Sequence, residues 1–369
     1  MRSLAHIEKI VSINPIPGAD NIESAYVLGW QLIIKKGEFK VGDLCVYIEI
    51  DSIVPNDDGR FKFLESKNYR IKTMKLNKFN IISQGLALPV TLFPEVSYAK
   101  EGDDVTDLLR IKKAEEPEPV SSFQYSPNGR GKKGKGGKKN AFPSWIHKTD
   151  ETRCENIPWI LKDKQRFIAT EKIDGTSTTF GVRRHKRFFF FNHYEFVVCS
   201  RNLLLDPVKD ANSVYYQIYK KYNIKQVLTT LIKLNKKAHT IVIQGETFGE
   251  GLQGNPYKLK GIDFRAFNYV VDGVRTNLLD AKPLLSEFGI NWVPILNYNV
   301  TMPDTMEELK AQATGESVFS NHPSDEKHKN ILREGIVYRS YYSNVEGSDV
   351  SSTSFKNVSK EYLLKHEAK

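Results

Sequence analysis

Cysteine is scarce: Cys45, Cys154 and Cys199 are the only three in 369 residues. An odd number without close spacing argues against a disulfide framework and against a zinc ribbon, and a reducing compartment is the expected setting. Long apolar runs are missing too. Nothing approaches the ~20 residues of a membrane-spanning helix, so no membrane partner is expected. Glu8 interrupts the N-terminal segment where a secretory leader would be apolar. These absences predict an intracellular, cytoplasmic chain, with a nuclear location left open. Acid is in deficit, 44 residues against 54 basic ones, for a formal charge of +10. That balance suits a polyanionic partner and carries no sequence specificity.

The length and a 40% hydrophobic share suffice for two packed domains. Residues 1–111 read as short strands and glycine turns. Ala25–Ile34 and Leu44–Ile50 are strand-like, with Lys35-Lys36-Gly37 turning between them. Arg70–Leu76 alternates basic and apolar residues, which predicts one core face and one cationic face. Such a series suggests a small OB-like β-barrel. A basic and aromatic groove binding nucleic acid accounts for the pattern, and so does a solvated sheet face without a ligand. Residues 112–141 read as a flexible linker, first acidic and proline-rich, then rich in glycine and lysine. Arg130, Lys132, Lys133, Lys135, Lys138 and Lys139 supply six positive charges there. A solubilising linker, an address signal and a floppy phosphate tether all fit that composition.

Residues 142–369 read as an α+β domain. Strands are expected at Phe167–Thr170, Phe188–Phe191, Glu195–Cys199, Thr240–Ile243, Phe264–Val271, Gly335–Tyr338 and Thr353–Phe355. Helical spacing runs through Val214–Ile232, Leu278–Phe288 and Thr305–Gln312. Four segments at strand ends carry chemistry. They are Glu171-Lys172-Ile173-Asp174-Gly175, Gln244-Gly245-Glu246, Glu334-Gly335-Ile336-Val337-Tyr338-Arg339 and Ser354-Phe355-Lys356. A lone lysine-x-aspartate-glycine means little by itself; the ordered set means more. Lys172 could attack the α-phosphorus of ATP, provided its amine loses the proton held by a free lysine of pKa about 10.4. Desolvation and a nearby cation would favour the neutral amine. Asp174, Glu246 and Glu334 are the candidates to hold Mg²⁺ or Mn²⁺ through its water shell. Lys356 would neutralise charge on the transferred phosphate.

The set resembles the covalent nucleotidyltransferase superfamily of ligases and RNA-capping enzymes. Lys172, Asp174 and Gly175 match its first motif, Glu246 its third, Glu334 its fourth and Lys356 its fifth. Gln244–Asn255 and Cys199-Ser200-Arg201-Asn202 resemble RNA ligases in particular. An OB-like domain placed before the catalytic domain is similar to the Deinococcus and Naegleria type of RNA ligase. Val41–Asp51, Ile82–Leu86 and Lys148–Arg153 carry that likeness. The resemblance implies an α+β fold: an N-terminal OB-like barrel, then an adenylation domain of antiparallel sheets flanked by helices. It also implies an ATP-dependent reaction in three steps, through lysyl-AMP and an adenylylated RNA 5′ end to a phosphodiester. Glu171, Gly175, Arg201, Asn202 and Phe267 would bind the nucleotide, with Lys148 and Arg153 near the triphosphate tail. RNA ends bearing 5′-phosphate and 3′-hydroxyl are the implied partners of a monomer. One departure stands out: many relatives have two lysines one residue apart in the fifth motif, and Ser354 replaces the first here. A DNA ligase or a capping guanylyltransferase remains an alternative within the superfamily. A nucleic-acid-binding protein with a silent ligase fold is the alternative outside enzymes.

Overall fold

The computed structural model describes residues 3–114, 141–187, 191–320, 330–341 and 353–366. The fold is α+β. The first domain curls around one long strand, β1 (Ala5–Pro15). Its first half pairs with β4 (Leu44–Ile48) and its second half with β2 (Ile22–Val27). The register shifts between Ile10 and Ser12, and an irregularity of that kind bends a strand and re-aims it. With β3 (Trp30–Lys35) and β5 (Leu86–Pro89) the order is β3-β2-β1-β4-β5, an open half-barrel of the OB kind. Trp30, Leu32 and Tyr47 centre one apolar cluster; Ile7, Val46, Phe61 and Phe93 centre another.

Two expectations change here. Ala25–Ile34 is a hairpin rather than one strand, because Leu28 turns the chain at φ 52°. Arg70–Leu76 is broken into Arg70–Ile71 and Met74–Leu76, which pair in different sheets. Ile71 is buried while Met74 is 37% exposed, so no continuous cationic face opposes a core face. Lys112 and Lys113, within the stretch expected as linker, pair with Ile53 and Ser52. The glycine- and lysine-rich stretch, and Phe188–Phe190 of an expected strand, lie outside the described residues.

The second domain runs through β6 (Thr152–Arg153), β7 (Phe167–Lys172), β8 (Thr176–Arg187), β9 (Phe191–Cys199) and β10 (Thr240–Gly249). It continues with β11 (Ile262–Val271), β12 (Val274–Arg275), β13 (Ile295–Val300), β14 (Gly335–Ser340) and β15 (Ser354–Val358). One sheet has the order β6-β15-β14-β7-β13, with β6 parallel to β15; the other has the order β9-β8-β10-β11-β12. Apolar alternation along β8 and β10 turns Phe180, Val182, Ile241 and Ile243 into the core of the second sheet. Helices α1 (Val214–Lys221) and α2 (Ile224–Leu234) cover that face with Ile218, Val227, Leu228 and Leu231. The expected single helical stretch is split because Asn223 sits at φ 47°. Next come α3 (Leu278–Ser286) and α4 (Met306–Gln312), the latter opened by a capping box between Thr305 and Glu308. α5 (Lys360–His366) follows β15. Among the described residues no helix is long and apolar enough to cross a membrane.

The β2–β3 turn docks the first domain onto the second. Gly29 N donates to the Glu155 carbonyl at 3.0 Å, and Lys310 Nζ donates to the Gly29 carbonyl at 3.3 Å. A Cβ on Gly29 would lie 2.8 Å from Glu155 Cα, so the approach requires glycine. Asn156 completes the contact: its amide donates to Glu49 Oε1 at 2.5 Å, and its carbonyl oxygen accepts from Trp30 Nε1.

Candidate active site

Strand pairing builds the site. β7 and β14 are antiparallel in a register that sets Lys172 opposite Gly335, beside Glu334. The Lys172 ammonium donates to Glu334 Oε1; the two side chains are 26% and 9% exposed. Glu246 comes from the other sheet, where β10 sets it opposite Ser177 of β8. Gly175 permits this closeness: a Cβ there would lie 2.4 Å from the Thr247 carbonyl oxygen and 3.1 Å from Glu246 Cγ. Asp174 is held at both ends. Its amide donates to Tyr257 Oη at 2.6 Å, and its Oδ2 accepts from Tyr362 Oη of α5 at 2.6 Å. Lys172, Asp174, Gly175, Glu246 and Glu334 therefore come together from three separate stretches of chain.

The electrostatics are those of an amine ringed by acids. Burial pulls the Lys172 pKa down, but the charges of Glu334, Glu246 and Asp174 outweigh it, and the net shift is upward. The protein's own groups thus favour the ammonium. Burial, reinforced by the nearby Glu334 and Asp174, pushes Glu246 up to about 8 against the opposing pull of Lys172. Glu334 Oε2 is buried and has no hydrogen-bond partner. An orphaned carboxylate oxygen next to a carboxyl that resists ionisation is a site a divalent cation would relieve. Among the described residues no three His, Cys, Asp or Glu side chains converge closely enough to be its direct ligands. A cation here would be held through water by Asp174, Glu246 and Glu334.

The remaining predicted residues spread around this centre. Lys356 lies opposite Val337 in β14, and its Nζ is 3.3 Å from Asp150 Oδ1. Arg201 reaches the same oxygen at 3.7 Å and also bears on the charge of Glu246. Lys148 Nζ donates to Asn202 Oδ1 at 3.1 Å. Phe267 stands at a bulge, between the Gly245–Ala266 and Gln244–Asn268 pairs, and its carbonyl accepts from Arg339 of the opposite sheet. Two residues point elsewhere. Glu171 is buried and accepts from Ser317 Oγ at 2.5 Å and Val318 N at 2.8 Å. Arg153 is 9% exposed with its guanidinium 5.6 Å from the Trp30 ring, in the contact between domains. Sequence reasoning missed Tyr257, Tyr362 and Asp150. The two tyrosines carry no spacing signal and read as core aromatics, and within the Lys148–Arg153 stretch only Lys148 and Arg153 take a role from the resemblance.

A profile of an OB-fold domain matches residues 4–90, and the RNA ligase family profile matches residues 165–358. No curated protein matches the chain. Solved structures of Naegleria gruberi RNA ligase are similar along its length. The one with pyrophosphate is 33% identical, covering 100% of this chain and 99% of that chain with a TM-score of 0.77. A lysine-to-methionine mutant with AMP and Mn is 33% identical, covering 100% of both chains with a TM-score of 0.78. A glutamate-to-alanine mutant with ATP and Mn is 32% identical, covering 99% of this chain and 100% of that chain with a TM-score of 0.77. The chain belongs to the RNA ligase family, enzymes that form phosphodiester bonds between RNA ends, with an OB-fold domain ahead of its ligase domain.

Proposed function

We propose that this RNA ligase takes AMP from ATP onto Lys172, passes it to an RNA 5′-phosphate, and joins that end to a 3′-hydroxyl with release of AMP. The observation that carries the reading is the convergence of Glu334, Glu246 and Asp174 on the Lys172 amine. ATP, AMP and Mn in the Naegleria structures support the choice of nucleotide and metal class. Domain limits of 1–111, 112–141 and 142–369 go with this reading, with the first domain extended by Lys112 and Lys113, which pair with Ile53 and Ser52.

In the first step Lys172 Nζ attacks the α-phosphorus, the bond to the bridging oxygen breaks, and pyrophosphate leaves in line. The amine must first shed a proton, and the hydrogen-bonded Glu334 carboxylate is placed to accept it. Mg²⁺ or Mn²⁺, when bound, supplies charge that offsets the three acids and stabilises the phosphate oxygens. Asp174, Glu246 and Glu334 would hold it. Tyr362 and Tyr257 fix the Asp174 loop, so the acids are preorganised and do not have to be gathered. Lys356 and Arg201 present positive charge to the phosphate, while Asn202 and Phe267 would hold the nucleoside.

Incubation with α-labelled ATP and Mg²⁺ or Mn²⁺ tests the reading. Wild-type protein acquires label and seals 5′-phosphorylated RNA, and Lys172→Ala does neither. Preferential labelling by GTP, or equal sealing of an all-DNA nick and its RNA counterpart, would instead favour a capping or DNA-joining enzyme.

A further inference from the structure

Three cations from distant parts of the chain meet on one carboxylate. Lys113, in the last short strand of the OB domain, bonds Asp150 Oδ2 at 2.6 Å. Lys356 of β15 donates to Asp150 Oδ1 at 3.3 Å, and Arg201 forms an ion pair with the same oxygen at 3.7 Å. Three cationic side chains thus share this one carboxylate. The group is open to solvent, with side-chain exposures of 44% for Lys113, 37% for Arg201, 28% for Asp150 and 16% for Lys356. Burial alone would raise the Asp150 pKa, yet Lys356, Lys113 and Arg201 together drive it well below the usual carboxylate range. Asp150 is therefore an anion at any physiological pH, and it gathers cations that would otherwise repel one another.

We propose that Lys113, Arg201 and Lys356 form a phosphate-binding site positioned by Asp150, so that the OB domain contributes Lys113 to the phosphate chemistry of the ligase domain. This rests on the function proposed above and adds Lys113 and Asp150 to it. A carboxylate and a phosphate offer similar oxygens to ammonium and guanidinium donors. Cations already arranged around Asp150 are spaced for such oxygens, and the charge of Arg201 is near enough to Glu246 of the catalytic cluster to favour its ionised form. The ligand is a phosphate group, supplied by the tail of ATP or by the RNA 5′ end.

The test compares full-length wild type with Lys113→Ala and Lys113→Arg in two arms. One arm measures adenylylation against ATP concentration. The other measures AMP transfer from preformed lysyl-AMP enzyme to 5′-phosphorylated RNA. Loss of one partly exposed charge-assisted contact predicts a rise of about fivefold to tenfold in the half-saturating concentration of ATP or of RNA. Lys113→Arg should restore most of it, and the melting temperature should hold. A change in the ATP arm assigns the site to the nucleotide tail, and a change in the RNA arm assigns it to the 5′ end. Unchanged half-saturation in both arms overturns the proposal. So does a loss of activity that follows a fall in melting temperature and is not rescued by arginine. Failure of the wild type to adenylylate would strike the parent reading instead.

Discussion

Glu246 is the residue whose ionisation most constrains this site. Its carboxyl is pushed up to about 8 by burial and by neighbouring acids. Unfolded, it would titrate at about 4.3. Between those values the folded chain holds a proton that the unfolded chain has released, so stability falls as pH rises through the interval. Thermal melts of metal-free protein from pH 5 to 8 should show this fall, and Glu246→Gln should flatten it. An identical pH dependence in the variant would mean that Glu246 ionises freely. The same crowding explains how legible the site was. Lys172, Asp174, Glu246 and Glu334 could be read because acid and amine types recur in a fixed order at strand ends. Their combined effect on the amine could not, since the upward shift of Lys172 depends on distances between sheets.

At the scale of elements, α5 closes the site from behind. Tyr362 is fully buried, stacks on His366 at 4.4 Å and donates to Asp174 Oδ2 at 2.6 Å. Tyr362→Phe keeps the ring and removes the donor. A hydrogen bond to a charged group contributes about 1.5–3 kcal/mol, so adenylylation should slow about tenfold or more. An unchanged single-turnover rate would reduce α5 to a packing element. Sequence periodicity found α1 to α4 and most strands, but it missed α5 and the long strands β1 and β8, and it did not find the breaks. Asn223 splits α1 from α2 at φ 47°, and Leu28 turns β2 into β3 at φ 52°. Leu28-Gly29 lacks the Asn-Gly or Asp-Gly signature that marks a tight hairpin, so nothing local announced that turn.

Across the whole molecule, the two domains meet through groups that tolerate little change. A Cβ on Gly29 would lie 3.2 Å from Met306 Cγ, besides its closer clash with Glu155. Gly29→Ala should therefore cost roughly 1–3 kcal/mol of docking energy. It should lower the melting temperature and slow adenylylation, while the OB core built on Ile7, Val46 and Phe61 stays folded. Wild-type melting and wild-type adenylylation would show that this contact is dispensable. The order of the domains was legible from the sequence, because strand-rich and motif-bearing segments are separated by a linker whose Gly129–Asn140 part has no apolar residue. The docking surface was not, since Trp30, Glu49 and Asn156 are brought together only by folding. The proposed chemistry depends on the amine of one lysine, Lys172. Its most direct test is peptide mass spectrometry of the protein after incubation with ATP and Mn²⁺. The expected result is a single AMP mass increment on the peptide containing Lys172, absent from Lys172→Ala. An unmodified Lys172 peptide, or AMP carried on another residue, would contradict it.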